Sequence, residues 1–525
     1  MQLDPLGSRA LEWTKRLVRI GSVSPSSGES EVADALAEIL REGGVEIIEH
    51  PLVELPDGRR NLYARVGHAK RTLVLSGHMD TVGLEDFRSL GLEPEDGLDP
   101  DKLYEHLSPR FGDGYLYGRG ALDMKGACAI CASVMHSLVE SPIEDLSVLF
   151  VGVCDEENAS LGMRTAGKFL AEYAEREGLE LFGFINTDYT SSIPGGNEDA
   201  RYVYTGSIGK LLPSVLVQGQ VTHVGEPFKG ISANLLLAEI TAAIEGCAQL
   251  ADHESNELTP PPATLKTADL KEHYDVQTPR LAWGYYNFFQ FQRSPSEVIA
   301  LLLERIKGAV RQAEQRLDES WSEQYRAVGG QRPVPKVLVR TLRELCAEMR
   351  EDGADPDQML RDCVRRHGDA YPRITAREAV CELLANSRYR EKPIVVLYFG
   401  RPFYPGVASP VDHPLTRALR MVANAFSASV PNLRTRRYYP YISDASFAQL
   451  PASVERDLNQ LRANFPGFDE LDVLDVDTIR KISMPVINLG PYGYGAHQET
   501  ERIDIAYSFG ILPRMLRSLL EYSRP

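Results

Sequence analysis

Short apolar runs punctuate the first two hundred residues, and several of them end in a histidine or an acid. Leu73-Val-Leu75 passes through Ser76-Gly77 to His78 and Asp80. Residues 146–153 are almost continuously apolar, the pattern of a central strand buried on both faces, and they lead into Asp155-Glu156-Glu157. Residues 182–186 lead into Asp188. Around these runs the spacing predicts helices over 8–20 and 29–42, the second closed by Gly43-Gly44, and strands over 45–49, 61–66 and 72–75. Residues 83–113 are polar, acidic and rich in Pro and Gly, and read as a long loop. Residues 127–139 read as a small-residue helix entered just after Asp123. Further on, strands near 210–219, 263–269, 281–292 and 394–399 and helices over 233–250 and 296–317 predict two helices on an antiparallel sheet. A last strand at 484–490 leads to the loop Ala496-His-Gln-Glu-Thr-Glu-Arg502, and an apolar helix begins at 503.

Strand ends decorated in this way suggest a site, because open α/β sheets bind ligands at the carboxyl ends of their strands. In extended backbone, residues i and i+2 point the same way, so Asp80 is placed to orient the His78 ring. Three acids in a row after a buried strand are costly unless a cation, protonation or solvent neutralises them. Asp123 is either a helix N-cap or a carboxylate ligand held on a turn. His497 adds a second imidazole. Histidines with several carboxylates and no cysteine pair suit hydrolytic zinc, manganese or cobalt rather than structural zinc.

The remaining bulk properties narrow the picture. A chain of 525 residues exceeds one ordinary core, so two or three domains are expected. A net charge of −17 leaves no basic stripe for phosphates and argues against nucleic acid as a partner. The start lacks a basic region followed by an apolar run, and no apolar run approaches the roughly 18 residues of a membrane span. The seven cysteines are odd in number and scattered, which predicts reduced thiols and a cytoplasmic location. Cys128 and Cys131 read as small core residues of a helix.

In Ser76-Gly-His-Met-Asp-Thr-Val82, Gly118-Arg-Gly-Ala-Leu-Asp-Met-Lys-Gly126, Asp155-Glu-Glu157, Asp188 and the His497 loop, the chain resembles the M20 metallopeptidase family of carboxypeptidase-G2-like enzymes, aminoacylases, acetylornithine deacetylases and succinyl-diaminopimelate desuccinylases. The resemblance covers residues 8–235 and roughly 394–520. Within the family the chain looks most like a bacterial arginine-utilisation group, through its length, Tyr204-Thr-Gly-Ser-Ile-Gly-Lys210, Thr222-His-Val-Gly-Glu-Pro-Phe-Lys-Gly230 and a large insert.

The resemblance implies an α/β fold: a zinc-peptidase-like catalytic domain with a mixed central sheet, and an inserted α+β, ferredoxin-like lid. Its expected bounds are 1–205 and 401–525 for the catalytic domain and 206–400 for the lid. The lid would carry an insert at 318–392 with helical pieces at 337–350, 356–366 and 375–386, expected to decorate the surface or add to an interface. A second insert is expected at about 449–480. The implied cofactors are two divalent ions, zinc first, with manganese or cobalt as alternatives. Asp123 would bridge them, His78 and Asp188 would complete one site, and Glu157 and His497 the other. Glu156 would be the general base and Asp80 would aim His78. A cis peptide would join Asp123 and Met124. His223 would stabilise the oxyanion from the lid, which commonly makes a homodimer in this family.

In two respects the chain departs from compact members of the family: one is the insert at 318–392, and the other lies on a lid strand. Gln290 and Gln292 precede Arg293 where an arginine often grips the substrate carboxylate. Tyr441-Ile-Ser-Asp-Ala-Ser-Phe447, by contrast, matches a family segment near the site. The implied reaction is hydrolysis of an amide in an N-acyl amino acid or small peptide, with a place in arginine utilisation. An amidinohydrolase or carbamoylase acting on an arginine-related compound is the nearest alternative. A non-catalytic binding protein retaining the fold is the distant one, and the intact ligand set with Glu156 argues against it.

Overall fold

The apolar runs become four parallel strands at the middle of an eight-stranded sheet. In the computed structural model, which describes residues 3–524 apart from 50–54, 56, 192–199, 328, 331, 333, 335, 369–370 and 472, Arg71–His78 lies between Ser147–Val153 and Glu180–Asn186, parallel to both. Val486–Asn488 adds in parallel beyond Glu180–Asn186. Leu62–Val66 and Glu46–Ile47 extend one side antiparallel. On the other side Arg201–Tyr204 pairs antiparallel with Val486–Asn488, and Leu433–Arg436 closes the sheet.

Ser147–Val153 is buried along its whole length, as a central parallel strand must be. One face of the sheet packs Leu73, Leu75, Val148, Phe150 and Ile185 into a core with helices Pro5–Val18, Gly28–Glu42, Gly126–Glu140 and Leu512–Tyr522. The other face carries Tyr63, whose ring centroid lies 3.8 Å from that of Phe169 on helix Leu161–Glu177. Parallel register then aligns the strand ends: His78 is opposite Val153, Asn186 opposite Ser76, and Asn488 opposite Asn186. The residues that follow each strand therefore leave from one edge.

The chain divides into two compact units. The first is Met1–Ser207 with Val407–Leu450 and Val476–Pro525, and the second is Ile208–Gly406 with Pro451–Asp475. The bounds differ from expectation chiefly at 451–475, which joins the second unit rather than the catalytic part. Its helix Ala452–Ala463 packs on helix Pro295–Gln324, where Asp457 accepts the amide of Ser296 at 3.1 Å, and Asn464 caps it to the sheet by accepting the amide of Phe399 at 2.8 Å.

The second unit holds a five-stranded sheet in the order Ala263–Asp269, Leu281–Gln290, Gly209–Gln218, Ile394–Tyr404, Leu338–Thr341. The first four strands are antiparallel neighbours. With helices Ala233–Ile244 and Pro295–Gln324 between them in sequence, they form the β-α-β-β-α-β arrangement of a ferredoxin-like sheet. The fifth, Leu338–Thr341, runs parallel to Ile394–Tyr404. It falls where the sequence suggested the start of a helix, and the helix begins only at Leu342.

Helices Leu342–Glu351, Pro356–His367 and Pro372–Ala385 of the insert do more than decorate a surface. Leu345, Val380 and Leu383 share a buried cluster with Leu216, Trp283 and Val396 of the sheet. Residues 83–113 also differ from the expected loop. They contain the helix Pro100–Phe111, and Phe87, Leu103, Leu107 and Tyr117 make a small core of their own.

Among the described residues one helical stretch, Ala121–Glu140, is long and apolar enough to cross a membrane, and it is 89% buried within the protein. All seven cysteines are free thiols, with Cys128 and Cys131 buried in the core helix.

Candidate metal centre

The common sheet edge brings His78, Asp80, Glu156, Glu157 and Asp188 together, and two loops add Asp123 and His497. Ligand atoms of His78, Asp123 and Asp188 lie within 4.8 Å of one another, and so do those of Asp123, Glu157 and His497. Asp123 belongs to both groups. Its Oδ1 lies 2.9 Å from His78 Nε2 and its Oδ2 lies 3.0 Å from His497 Nε2. His497 Nε2 is also 3.0 Å from Glu157 Oε1.

Each side chain is held by its surroundings. His78 Nδ1 is 3.1 Å from the Asp80 carbonyl, so a proton on Nδ1 leaves Nε2 facing Asp123. The Asp80 carboxylate stands 3.6 Å from the same nitrogen and accepts the amides of Glu156 and Glu157 at 3.2 and 3.0 Å. Asp80 thus fixes both the ring and the turn of acids. Asp123 sits on the turn before the core helix, and its peptide bond to Met124 is cis. Asp188 accepts the Tyr189 amide at 2.8 Å, and Asn488 donates to its carbonyl at 3.0 Å. A Cβ on Gly490 would lie 2.0 Å from that carbonyl oxygen, which explains why glycine stands there.

Of the three consecutive acids, Asp155 has a different part. It pairs with Arg59 at 2.9 Å, and Arg59 pairs with the buried Glu29 at 2.7 Å. Its carbonyl also accepts the amides of Asn158, Ala159 and Ser160, closing the turn on which Glu156 and Glu157 sit. Asp155 takes a positive φ of 66° to do so.

The electrostatics are those of a cluster with excess negative charge. Burial, and then the charge of Asp123, push the Asp188 carboxyl up to about 8. Burial and Asp123 also raise Glu157. Burial, opposed by His78 and reinforced by Asp444 and Glu157, puts Glu156 well above the carboxylate range. Burial opposes the charged form of His78, yet hydrogen bonds to Asp123 and Asp80 hold its imidazole well above the ordinary value. Hydrogen bonds to Asp123 and Glu157 lift His497 to about 10. Asp123 moves the other way: burial acts to raise it, but the two histidines hold it well below the usual range. Raised carboxyls around a depressed Asp123 mark a buried surplus of negative charge, the setting that favours a bound cation. Two sets of one nitrogen and two oxygen donors sharing a carboxylate fit a pair of divalent ions, and sulfur has no part in either set.

Several residues around the centre were not singled out from the sequence. Arg119 and Glu501 form a buried ion pair at 2.8 Å, and Glu501 accepts the amides of Leu122 and Asp123 at 3.1 and 3.2 Å. Both lie in quoted motifs, but nothing in one dimension joins positions 382 apart. Asp444 is buried, and burial raises it to about 7. Tyr189 and Tyr441 stack beside Asp188 with ring centroids 5.6 Å apart.

His223 lies in the second unit, on an exposed loop, and accepts the Gly225 amide on Nδ1 at 3.0 Å. Arg293 of the same unit is already engaged. It donates to the carbonyls of Leu250 and Ala251 at 2.7 and 2.9 Å and pairs with Asp252 at 3.3 Å.

Comparison with known proteins points the same way. A family model described as peptidase family M20/M25/M40 matches residues 74–459. The chain is 28% identical over 536 residues to protein RocB of Bacillus subtilis (strain 168), covering 96% of this chain and 93% of that one. It is 31% identical over 521 residues to the uncharacterized protein YqjN of the same organism, covering 95% and 93%. An acetylornithine deacetylase of Vibrio parahaemolyticus is 27% identical over 230 residues, 43% of this chain and 51% of that one. The solved structure of aminopeptidase PepT from Bacillus cereus aligns with a TM-score of 0.55 and 14% identity over 99% of both chains, a likeness of fold.

Proposed function

The chain belongs to peptidase family M20/M25/M40 and is a metallohydrolase, and from that premise we propose that it uses two divalent ions to hydrolyse the amide bond of an N-acyl amino acid or small peptide. One observation carries the reading. Two ligand groups share Asp123, while Glu156, beside Glu157, belongs to neither. Such a division leaves one carboxyl for proton transfer and the others for metal.

His78 and Asp188 would hold one ion, Glu157 and His497 the other, and Asp123 both. Zinc is the first candidate, with manganese or cobalt accepting the same donors. Bound there, the ions would lower the pKa of a water and polarise the scissile carbonyl. Glu156 takes the proton of the attacking water and passes it to the leaving amine. Burial first, opposed by His78 and reinforced by Asp444 and Glu157, raises its pKa well above the carboxylate range, the direction that strengthens a carboxylate as a proton acceptor. Asp80 keeps His78 and the Glu156 turn in register.

His223 would stabilise the oxyanion. With Nδ1 accepting the Gly225 amide, a neutral ring carries its proton on Nε2, the donor such a role needs. The second unit would then act as the lid. Its outermost strand, Ala263–Asp269, is an exposed sheet edge, which supports a homodimer through this unit. The free thiols suit a reducing compartment. A place in arginine utilisation is read from the likeness of segments 204–210 and 222–230 to an arginine-utilisation group, and the 28% identity to protein RocB spans 96% of the chain.

The test is metal content together with turnover on a panel of N-acyl, N-carbamoyl and amidino amino acids, arginine-related compounds included. The expected result is two ions per chain and hydrolysis of at least one amide. Glu156→Gln should lower that rate about 100-fold or more while keeping the metal. Full metal occupancy with no turnover on any compound would overturn the catalytic reading and favour a binding protein.

A further inference from the structure

Three loops of the first unit meet on one buried ion pair. The side chains of Arg119 and Glu501 are each 1% exposed and lie 2.8 Å apart. Glu501 uses one oxygen, Oε1, for the amides of Leu122 and Asp123, and the other, Oε2, for Arg119. Arg119 spends its remaining donors on two further segments. Its Nη1 also donates to the Gln498 carbonyl at 3.3 Å, beside His497. Its Nε donates to the Gly83 carbonyl at 3.1 Å, and its Nη2 to Asp86 at 2.5 Å, both in the segment that follows His78 and Asp80.

A buried ion pair of this kind is a poor source of stability, since an apolar pair of equal volume often does as well. What it provides is direction. A guanidinium fork presents several donors in fixed geometry, and a lysine at the same place would not. A carboxylate can take two amides on one oxygen and a cation on the other. Here the two amides belong to the turn that carries the carboxylate common to both ligand groups. The carbonyls on Arg119 belong to the segments that carry one histidine of each group.

We propose that Arg119 and Glu501 are a positioning pair that sets the spacing of the two metal sites, so that its loss weakens both ions together. The proposal rests on the metal reading above. Neither residue belongs to either ligand group. They act through Asp123, His78 and His497, as partners of ligands do in other metal centres, where removing one costs about 10- to 100-fold in affinity.

The test is competition for Zn2+ between the metal-free full-length chain and a chromophoric chelator, with thermal unfolding as a second readout. Glu501→Gln keeps an oxygen for the two amides but removes the charge facing Arg119. Arg119→Lys keeps the charge but cannot hold four acceptors. Each variant is expected to bind both ions about 10- to 100-fold more weakly. Raising Zn2+ should restore kcat with KM unchanged. A merely structural role would lower the melting temperature and leave the affinity of the folded protein alone. Folded variants that load two ions at wild-type affinity, or that weaken only one of them, would overturn the proposal. Wild-type protein that takes up no zinc would instead sink the metal reading, and the positioning role with it.

Discussion

The Asp80 carboxylate accepts the backbone amide of Glu157 at 3.0 Å while standing 3.6 Å from His78 Nδ1. One buried acid therefore holds a member of each ligand group. Asp80→Ala should loosen both, leaving the amides of Glu156 and Glu157 without their acceptor at a cost of about 1–3 kcal/mol. The expected outcome is zinc affinity lower by about 10- to 100-fold and a lower melting temperature. Asp80→Asn should fall between, because its one side-chain oxygen can still take an amide. Calorimetric zinc titration of both variants checks the order. Wild-type affinity in Asp80→Ala would show that the carboxylate does not set the centre.

How much of this was legible in the sequence depends on whether a residue's neighbours in sequence are also its neighbours in space. His78, Glu156, Glu157 and Asp188 could be read because each follows an apolar run, and parallel pairing delivers the ends of such runs to one edge. His497 could be read only as a second imidazole in a loop; its place in a ligand set, like the shared role of Asp123, came with the family resemblance, since a loop and a turn carry no periodicity. Arg119 and Glu501 stayed hidden because an ion pair across 382 positions leaves no local mark. Helix Pro100–Phe111 was missed for another reason. It buries only Pro100, Leu103 and Leu107, so its polar face resembles loop composition. Strand Leu338–Thr341 had a signal that went unused: Thr341 and Glu344 form a capping box, which marks Leu342 as the first helical residue and leaves the residues before it for the sheet.

The insert supplies a prediction about the second unit. Leu383 is fully buried in a cluster with Leu216, Trp283 and Val396. If the insert helices complete this core, Leu383→Ala should cost about 2–5 kcal/mol. If they merely decorated the surface, the change would stay within about 0.5 kcal/mol. Urea unfolding followed by the fluorescence of Trp283 and the other tryptophans separates the two ranges.

The triad Glu29–Arg59–Asp155 is a structural support of the acid turn. Arg59 lies 2.7 Å from Glu29 and 2.9 Å from Asp155, with both carboxylates almost fully buried. Arg59→Met keeps the volume but strands two buried charges. The expected loss is about 3–5 kcal/mol, the usual result of removing one partner from a buried pair. Replacing all three by apolar residues should recover much of it. A triple variant no more stable than Arg59→Met would show that the loss comes from packing rather than charge.

The clustered carboxyls make the stability of the metal-free protein depend on pH in a definite direction. Asp188, pushed up to about 8 by burial and Asp123, contributes stability that is fully present below its ordinary carboxylate value and lost as the pH rises through about 8. Asp444, raised to about 7 by burial first, acts in the same sense. So does His497, lifted to about 10 by Asp123 and Glu157, although its half-exposed ring is screened by solvent and adds less. Asp123 has the opposite sign, but its depressed pKa confines the loss to strong acid. Between pH 6 and 9 the metal-free chain should therefore lose stability as the pH rises, by about 1.4 kcal/mol per unit for each proton released. Zinc must displace these protons to bind, so its affinity should rise over the same interval. Melting temperatures measured with EDTA and with zinc at pH 6, 7, 8 and 9 should diverge steadily, and zinc binding should release protons whose uptake by different buffers shows in the calorimetric enthalpy. Parallel melting curves, or an enthalpy independent of the buffer, would mean that the cluster does not hold its protons in the metal-free fold.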